Sequence, residues 1–218
     1  MEIMGGVRRY IPALNRTWLT PLYDPLIRWT MRESTFKRDL VSQARILSGH
    51  RVLDLGCGTA TLTILVKRAH PEAQVVGLDG DPGVLDLARA KATAAGMTIS
   101  LDLGMAFALP YPEGAFDRVL SSLVFHHLTR SDKQRTAREV FRVLRPGGEL
   151  HVADFGPPQG HMMRLAASIM RRLEETADNF DGHLPAMFRD AGLVNVEESR
   201  QYATLFGPLS FYSARRPD

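Results

Sequence analysis

The stretch Arg51-Val52-Leu53-Asp54-Leu55-Gly56-Cys57-Gly58-Thr59 decides how this chain is read. Its first five residues form a short apolar run carrying one carboxylate, the pattern of a strand buried inside a sheet, and the glycines after it mark a tight turn. Thr61, Leu62, Leu65, Val66 and Ala69 then recur at helical spacing until Pro71, and Gln74 to Leu78 supplies a second apolar run. Strand, helix and strand in that order make a βαβ unit, the element from which parallel sheets are built.

The same rhythm continues to about residue 155. Asp81 before Pro82 reads as an N-cap with proline at the first helical position, and Gly96 closes a helix carrying Val84, Ala88, Ala92 and Ala95. Thr98 to Leu103 is a third strand. Gly104 to Ala115, with its prolines and glycines, is a surface loop, and Phe116 to Ser121 is a fourth strand. Ala137, Val140, Phe141 and Leu144 mark a helix ended by Pro146, Gly147 and Gly148, and Glu149 to Phe155 is a fifth strand. Upstream, Asp24-Pro25 starts a helix bearing Leu26, Ile27, Trp29 and Met31, and Ser34 caps another with Phe36, Leu40, Ala44 and Leu47; both are expected over the pocket or the sheet edge. Downstream, Met162 to Thr176 and Leu184 to Ala191 read as helices, and Val194 to Arg200 and Leu209 to Ala214 as strands of an edge hairpin linked through Gly207 and Pro208.

Composition sets the outer bounds. A chain of 218 residues, 44% hydrophobic and 23% charged, fits one globular domain, divided here into N-terminal lid helices (1–48), a core (49–155) and substrate-side helices with the hairpin (156–218). A formal charge of +3 and a pI near 9.2 fall short of a nucleic-acid footprint, so no nucleic-acid partner is expected. The lone Cys57 excludes an internal disulfide framework and a multi-cysteine zinc site, and no metal is expected. No secretory signal and no run of roughly 20 apolar residues is found, which predicts a cytoplasmic protein with at most peripheral membrane contact.

In an open parallel sheet, ligands bind beyond the carboxyl ends of the strands. Asp54, Gly56, Cys57, Gly58 and Thr59 occupy that position, although glycines in a strand-to-helix turn serve conformation alone just as well. Asp79 sharpens the reading, because a carboxylate ending the second strand can accept hydrogen bonds from a ribose diol. A dinucleotide site asks for a third glycine where this chain has Thr61. The carboxylate of Asp54 would repel a pyrophosphate and attract the cationic groups of S-adenosylmethionine.

Taken together, Val52-Leu53-Asp54-Leu55-Gly56-Cys57-Gly58-Thr59, Gly77-Leu78-Asp79, Ala108-Leu109-Pro110-Tyr111, Phe116-Asp117 and Leu144-Arg145-Pro146-Gly147-Gly148 make the chain resemble the class I S-adenosylmethionine-dependent methyltransferases. The branch it resembles includes the ubiquinone and menaquinone biosynthesis C-methyltransferases. The resemblance implies an α/β fold, a Rossmann-like, mostly parallel seven-stranded sheet with helices on both faces and an antiparallel C-terminal hairpin. It further implies that Gly56, Gly58 and Thr59 line the methionine moiety, with Asp54, Cys57 and Gly80 in the same turns. Asp79 would hold the ribose, Ala106 would present its backbone to the adenine, and Ser122 would lie near the sulfonium. Met105 departs from the acidic or amide residue usual before that alanine, a loss worth about 0.5 to 1.5 kcal/mol, with Asp102 as a candidate substitute.

The implied reaction is methyl transfer to a small-molecule or quinone-like acceptor. Two alternatives stay open: N-methylation of a phospholipid headgroup, and a non-catalytic S-adenosylmethionine-binding protein. The activated sulfonium asks for no nucleophile or metal, and a base is needed only where the acceptor must lose a proton. His126 and His127 are the candidates for that base, each equally readable as a packing or solvent-facing side chain. Asp154 reads as a rim contact or a turn cap, Cys57 as a space-filler, and Tyr23, Arg28 and Arg32 as lid residues facing an acceptor or solvent. Asp178, Asn179, His183, Tyr202, Phe206 and Tyr212 give the tail polar and aromatic groups whose roles the sequence does not separate.

Overall fold

Strand β1 (Arg51–Leu55) is buried at every position but its first, because its alternating side chains enter two different cores. Leu53 and Leu55 face a cluster with Val119, Val140 and Phe188, whereas Val52 faces Leu62, Leu120, Ala153 and Phe36. We describe a computed structural model over residues 33–158, 176–204 and 207–218. The expected helices at 24–31 and 162–175, together with Tyr23, Arg28, Arg32 and Phe206, lie outside the described residues.

The sheet has seven strands in the order β3-β2-β1-β4-β5-β7-β6, formed by β2 (Gln74–Asp79), β3 (Ser100–Leu103), β4 (Phe116–Ser122), β5 (Leu144–Phe155), β6 (Val194–Thr204) and β7 (Gly207–Arg215). The first five are parallel and reverse direction of build at β1, so β1 and β4 flank the switch point where ligands settle in such sheets. Strand β7 runs antiparallel between β5 and β6, completing the expected C-terminal hairpin.

Helices cover both faces. On one side α1 (Glu33–Gln43) and α2 (Thr61–Ala69) bury Phe36, Leu40, Leu62 and Val66; on the other α4 (Arg130–Val143) and α6 (Leu184–Asp190) bury Ala137, Val140, Leu184 and Phe188. Helix α3 (Pro82–Ala94) is capped as its sequence predicts, with Asp81 Oδ1 accepting from Gly83 N at 2.8 Å and Val84 N at 3.2 Å. Among the described residues between β5 and α6 lies a helical turn, α5 (Ala177–Phe180), that no sequence periodicity announced.

Several boundaries differ from the sequence reading: Ser34 lies within α1 instead of capping it, and β6 and β7 extend to Thr204 and back to Gly207, so that Gly207 and Pro208 pair in the sheet instead of forming the link. Helix α1 stops at Gln43 because Arg45 turns into the left-handed region (φ 44°), which leaves Leu47 62% exposed instead of on the apolar stripe. Leu144 belongs to β5, where it pairs with Phe116, and the carbonyls of Phe141, Arg142 and Leu144 accept from Arg216 Nη1 at 3.2, 3.0 and 2.8 Å. An arginine near the end of the chain thus terminates α4 before Pro146 is reached. Residues 98 and 99 fall outside β3, whose pairing with β2 starts at Ser100 opposite Val76. Among the described residues no helix is long and apolar enough to cross a membrane.

Candidate functional site

The turn after β1 is shaped by its glycines. Gly56 (φ 70°) lies so close to Val124 that a Cβ would sit 2.4 Å from the valine Cγ2, whereas a Cβ on Gly58 (φ 53°) would meet nothing within 4 Å. The first glycine packs the turn against the segment after β4, and the second leaves open space. Backbone N–H groups of Gly56 and Cys57 both donate to Leu78 O, at 2.8 and 2.9 Å, which ties the turn to the end of β2.

There Asp79 meets it. Asp79 Oδ2 accepts from Gly58 N at 2.9 Å and Oδ1 from Asp81 N at 3.0 Å, so the carboxylate is fixed at the mouth of the open turn. Burial pushes its pKa up, and the donated N–H bonds from Gly58, Asp81 and Gly80 oppose that rise. Each oxygen keeps acceptor capacity beyond one backbone donor, as a vicinal diol would require.

Asp54 lies underneath, 1% exposed, with Oδ2 accepting from Thr63 Oγ1 at 2.6 Å. Burial raises its carboxyl to about 6, against the pull of the Thr63 hydrogen bond. It therefore braces α2 against β1 as well as placing charge below the turn. Cys57 is packed against Gly77, whose Cβ would lie 3.0 Å from its sulfur, and burial pushes its thiol pKa well up. That environment fits the space-filling reading and not a reactive thiol. Thr59 Oγ1 and Thr61 Oγ1 accept from Lys91 Nζ at 3.3 and 2.5 Å, a clasp between α3 and the start of α2 that the sequence did not reveal.

On the β3 side, Met105 pairs its backbone with Ala108, and Ala106 packs on the core beside it. Asp102 Oδ2 accepts from Tyr111 Oη at 2.9 Å, so the candidate substitute for Met105 is already engaged by a tyrosine of the same loop. The loop itself is clamped by α4: Glu139 Oε2 accepts from Leu109 N at 2.7 Å, and Arg142 donates to Leu109 O at 3.1 Å and Tyr111 O at 2.7 Å. The Leu109-Pro110-Tyr111 motif is a backbone docking point.

At the ends of β4 and β5 a second carboxylate organises the rim. Asp154, fully buried, accepts through Oδ2 from Val124 N at 3.0 Å and Phe125 N at 2.8 Å. Through Oδ1 it meets His126 Nδ1 at 2.9 Å, Phe155 N at 2.8 Å and Asn179 Nδ2 at 3.0 Å. Burial alone would raise its pKa; the His126 ring and the donated N–H bonds outweigh that and hold it below its usual value. Asp154 is thus a cap, but for the 3-10 turn Phe125–His127 that precedes it in sequence. The two histidines stack at 3.9 Å between centroids and are not equivalent. Burial, with His126 adding to it, pushes the His127 pKa down to about 3, whereas His126 rests on a carboxylate. Ser122, paired with Ala153 at the same rim, has a buried hydroxyl with no hydrogen-bond partner.

The tail residues separate as well. Asp178 accepts from Arg130 at 3.0 Å and lies 3.2 Å from His183 Nδ1, with the buried Lys133 Nζ 3.6 Å from its other oxygen. Tyr202 donates its hydroxyl to Asp39 on α1, and Tyr212 is buried beside Phe188. Among the described members of this set Asn179 hydrogen-bonds to the Asp154 carboxylate at the rim, and nothing in its local sequence distinguishes it from its polar neighbours. Among the described residues no group of His, Cys, Asp and Glu is arranged to hold a metal ion.

Known proteins resemble this chain in sequence and in fold. Residues 52–148 match the methyltransferase domain family. Over 142 residues, 64% of this chain and 64% of the relative, the sequence is 38% identical to the demethylmenaquinone methyltransferase of Thermus thermophilus. It is 37% identical over 142 residues, 64% of this chain and 58% of the relative, to that of Deinococcus radiodurans. The chain thus spans about three-fifths of the length of these relatives. The S-adenosylmethionine-dependent methyltransferase SibL, in its apo crystal structure, superposes over 95% of this chain and 60% of its own with a TM-score of 0.70 at 22% identity.

Proposed function

We infer that the chain is a class I methyltransferase of the branch of the demethylmenaquinone methyltransferases, with residues 52–148 as the part that matches the methyltransferase domain. On that premise we propose that it is a cytoplasmic enzyme that moves the methyl group of S-adenosylmethionine onto a small, quinone-like acceptor. One observation carries the reading: the open space at Gly58 is bounded by the Asp79 carboxylate, and through Gly56 and Val124 it adjoins the rim held by Asp154. The residues fit an adenosyl donor. A side chain at Gly58 would occupy the cradle, Asp79 retains acceptor capacity for a ribose diol, and Ser122 offers an unpartnered hydroxyl nearby.

Bound there, the donor supplies a methyl carbon on an already activated sulfonium. The protein's share is alignment and proton handling. The Gly56-Cys57-Gly58-Thr59 turn lines the methionine part, Asp79 and Gly80 hold the ribose, and Met105 and Ala106 lie along the adenine. Because Asp154 only accepts, His126 carries its proton on Nδ1 and leaves Nε2 as the ring's acceptor. Nε2 of His126 takes the hydroxyl proton of a quinol-type acceptor, which raises electron density on the carbon to be methylated. His127, held neutral by a pKa near 3, is too weak a base for that step.

Radiolabelled transfer tests this. Label entering a demethylated naphthoquinol, and falling about 100- to 10,000-fold in the His126→Ala protein, is the expected result. Label entering a phosphoethanolamine lipid instead, or nothing at all, contradicts it.

A further inference from the structure

Beyond β5 the chain returns to the rim on α5, and there Asn179 reaches the carboxylate oxygen that also meets His126. Asn179 Nδ2 lies 3.0 Å from Asp154 Oδ1, and His126 Nδ1 lies 2.9 Å from the same atom. We propose that Asn179 is a positioning residue of the reaction, fixing the Asp154 carboxylate so that His126 keeps one ring orientation and one tautomer. The inference rests on the reading of His126 as the base.

The amide has one tenable orientation. Turned over, it would press its carbonyl oxygen against the Asp154 carboxylate, so Nδ2 must face Oδ1. Its own oxygen is then left buried without a hydrogen-bond partner, on a residue with no exposed surface. A leucine would remove that orphan acceptor, so the asparagine's specific contribution at this position is the N–H given to Asp154.

Its support comes from two directions. Asn179 N donates to Thr176 O at 3.1 Å, and the adjacent Asp178 is held by Arg130 at the start of α4, directly after the turn that carries His126. On its other side Phe180 lies 5.6 Å from the Phe155 ring, whose own centroid is 4.9 Å from that of His126. Carboxylate, imidazole and amide are therefore located by three separate elements: β5, the 3-10 turn and α5. With three donors on Oδ1 and two on Oδ2, every direction of the Asp154 carboxylate is taken. Loss of the Asn179 donor frees Oδ1 to draw the imidazole closer or to rotate.

The test is nitrogen-15 NMR of histidine-labelled protein without donor, read beside steady-state kinetics. In the natural protein His126 should show a protected Nδ1 proton and an unprotonated Nε2. In Asn179→Leu, and in the smaller Asn179→Ala, both of which lose the donor without adding a charge, that Nδ1 proton resonance should move. With each, kcat should fall about 10- to 100-fold while donor affinity stays unchanged. A natural protein with His126 protonated on Nε2 overturns the proposal. So does either folded variant that loses thermal stability but keeps the His126 resonance and kcat. Failure of the base reading looks different: His126→Gln would then transfer label normally while the Asn179 variants still move the Nδ1 resonance.

Discussion

Asp54 lies one residue before the end of β1 and Asp79 ends β2, and burial raises the pKa of both, but their consequences diverge. Asp54 binds a proton more readily folded than unfolded, since its pKa rises from 3.8 to about 6. Its contribution to stability is complete below pH 3.8 and has been lost once the pH passes about 6. Asp54→Asn keeps an oxygen for Thr63 and removes the buried charge. It should therefore raise the unfolding free energy at pH 7.5 by up to about 3 kcal/mol, with the gain gone at pH 4, as followed by urea titration. Asp79→Ala should cost about 1 to 3 kcal/mol of donor binding in calorimetry, since on the proposed reading its carboxylate is the ribose acceptor. Both carboxylates stood out in the sequence, Asp54 as the one carboxylate within an apolar run and Asp79 as the close of the next. The hydrogen bonds that define their environments, from Thr63, Gly58 and Asp81, did not, because a hydrogen bond across a turn leaves no periodic trace.

At the scale of elements, the parallel half of the sheet was readable because each strand is a short apolar run punctuated by glycine or proline, and because Asp81-Pro82 announces its helix. Two kinds of element were not readable. Helix α5 is four residues long and has no room for a period, and the end of α4 depends on Arg216, some seventy residues downstream. The loop between β3 and β4 illustrates the same limit. Its motif is visible, but its clamp, Glu139 and Arg142, lies on a different element. Arg142→Ala should therefore lower stability by about 1 to 2 kcal/mol, a value kept modest by the arginine's partial exposure, and should raise proteolytic cleavage within 104–115. Cleavage unchanged from the natural protein would mean that the loop is held by its apolar contacts alone.

For the molecule as a whole, buried histidines set the response to acid. His127 is pushed down to about 3 and His151 is also pushed down, burial being the leading cause for each. Both take up protons on unfolding, so the stability they contribute is complete above about pH 6.5 and drains away as the pH falls, for His127 down to about 3. Each such group steepens the loss by at most about 1.4 kcal/mol per pH unit, and Asp54 offsets part of it between pH 6 and 3.8. Urea midpoints should fall from pH 6.5 to 4.5, and His127→Gln should flatten that slope; an unchanged slope would remove His127 from the account. The overall α/β architecture was legible because it follows from the alternation of apolar runs and helical patterns along the chain. The pairing of Asp154, His126 and Asn179 was not, since it joins three segments that only the folded chain brings together.

The central claim is that the Gly58 cradle and the Asp79 carboxylate form a seat for an adenosyl sulfonium donor. Titration calorimetry with S-adenosylhomocysteine and, separately, with NAD measures it directly. The account predicts one molecule of S-adenosylhomocysteine bound per chain, weakened about tenfold or more in Asp79→Ala, and no heat from NAD. Tight binding of NAD, or equal S-adenosylhomocysteine affinity with and without the Asp79 carboxylate, would contradict it.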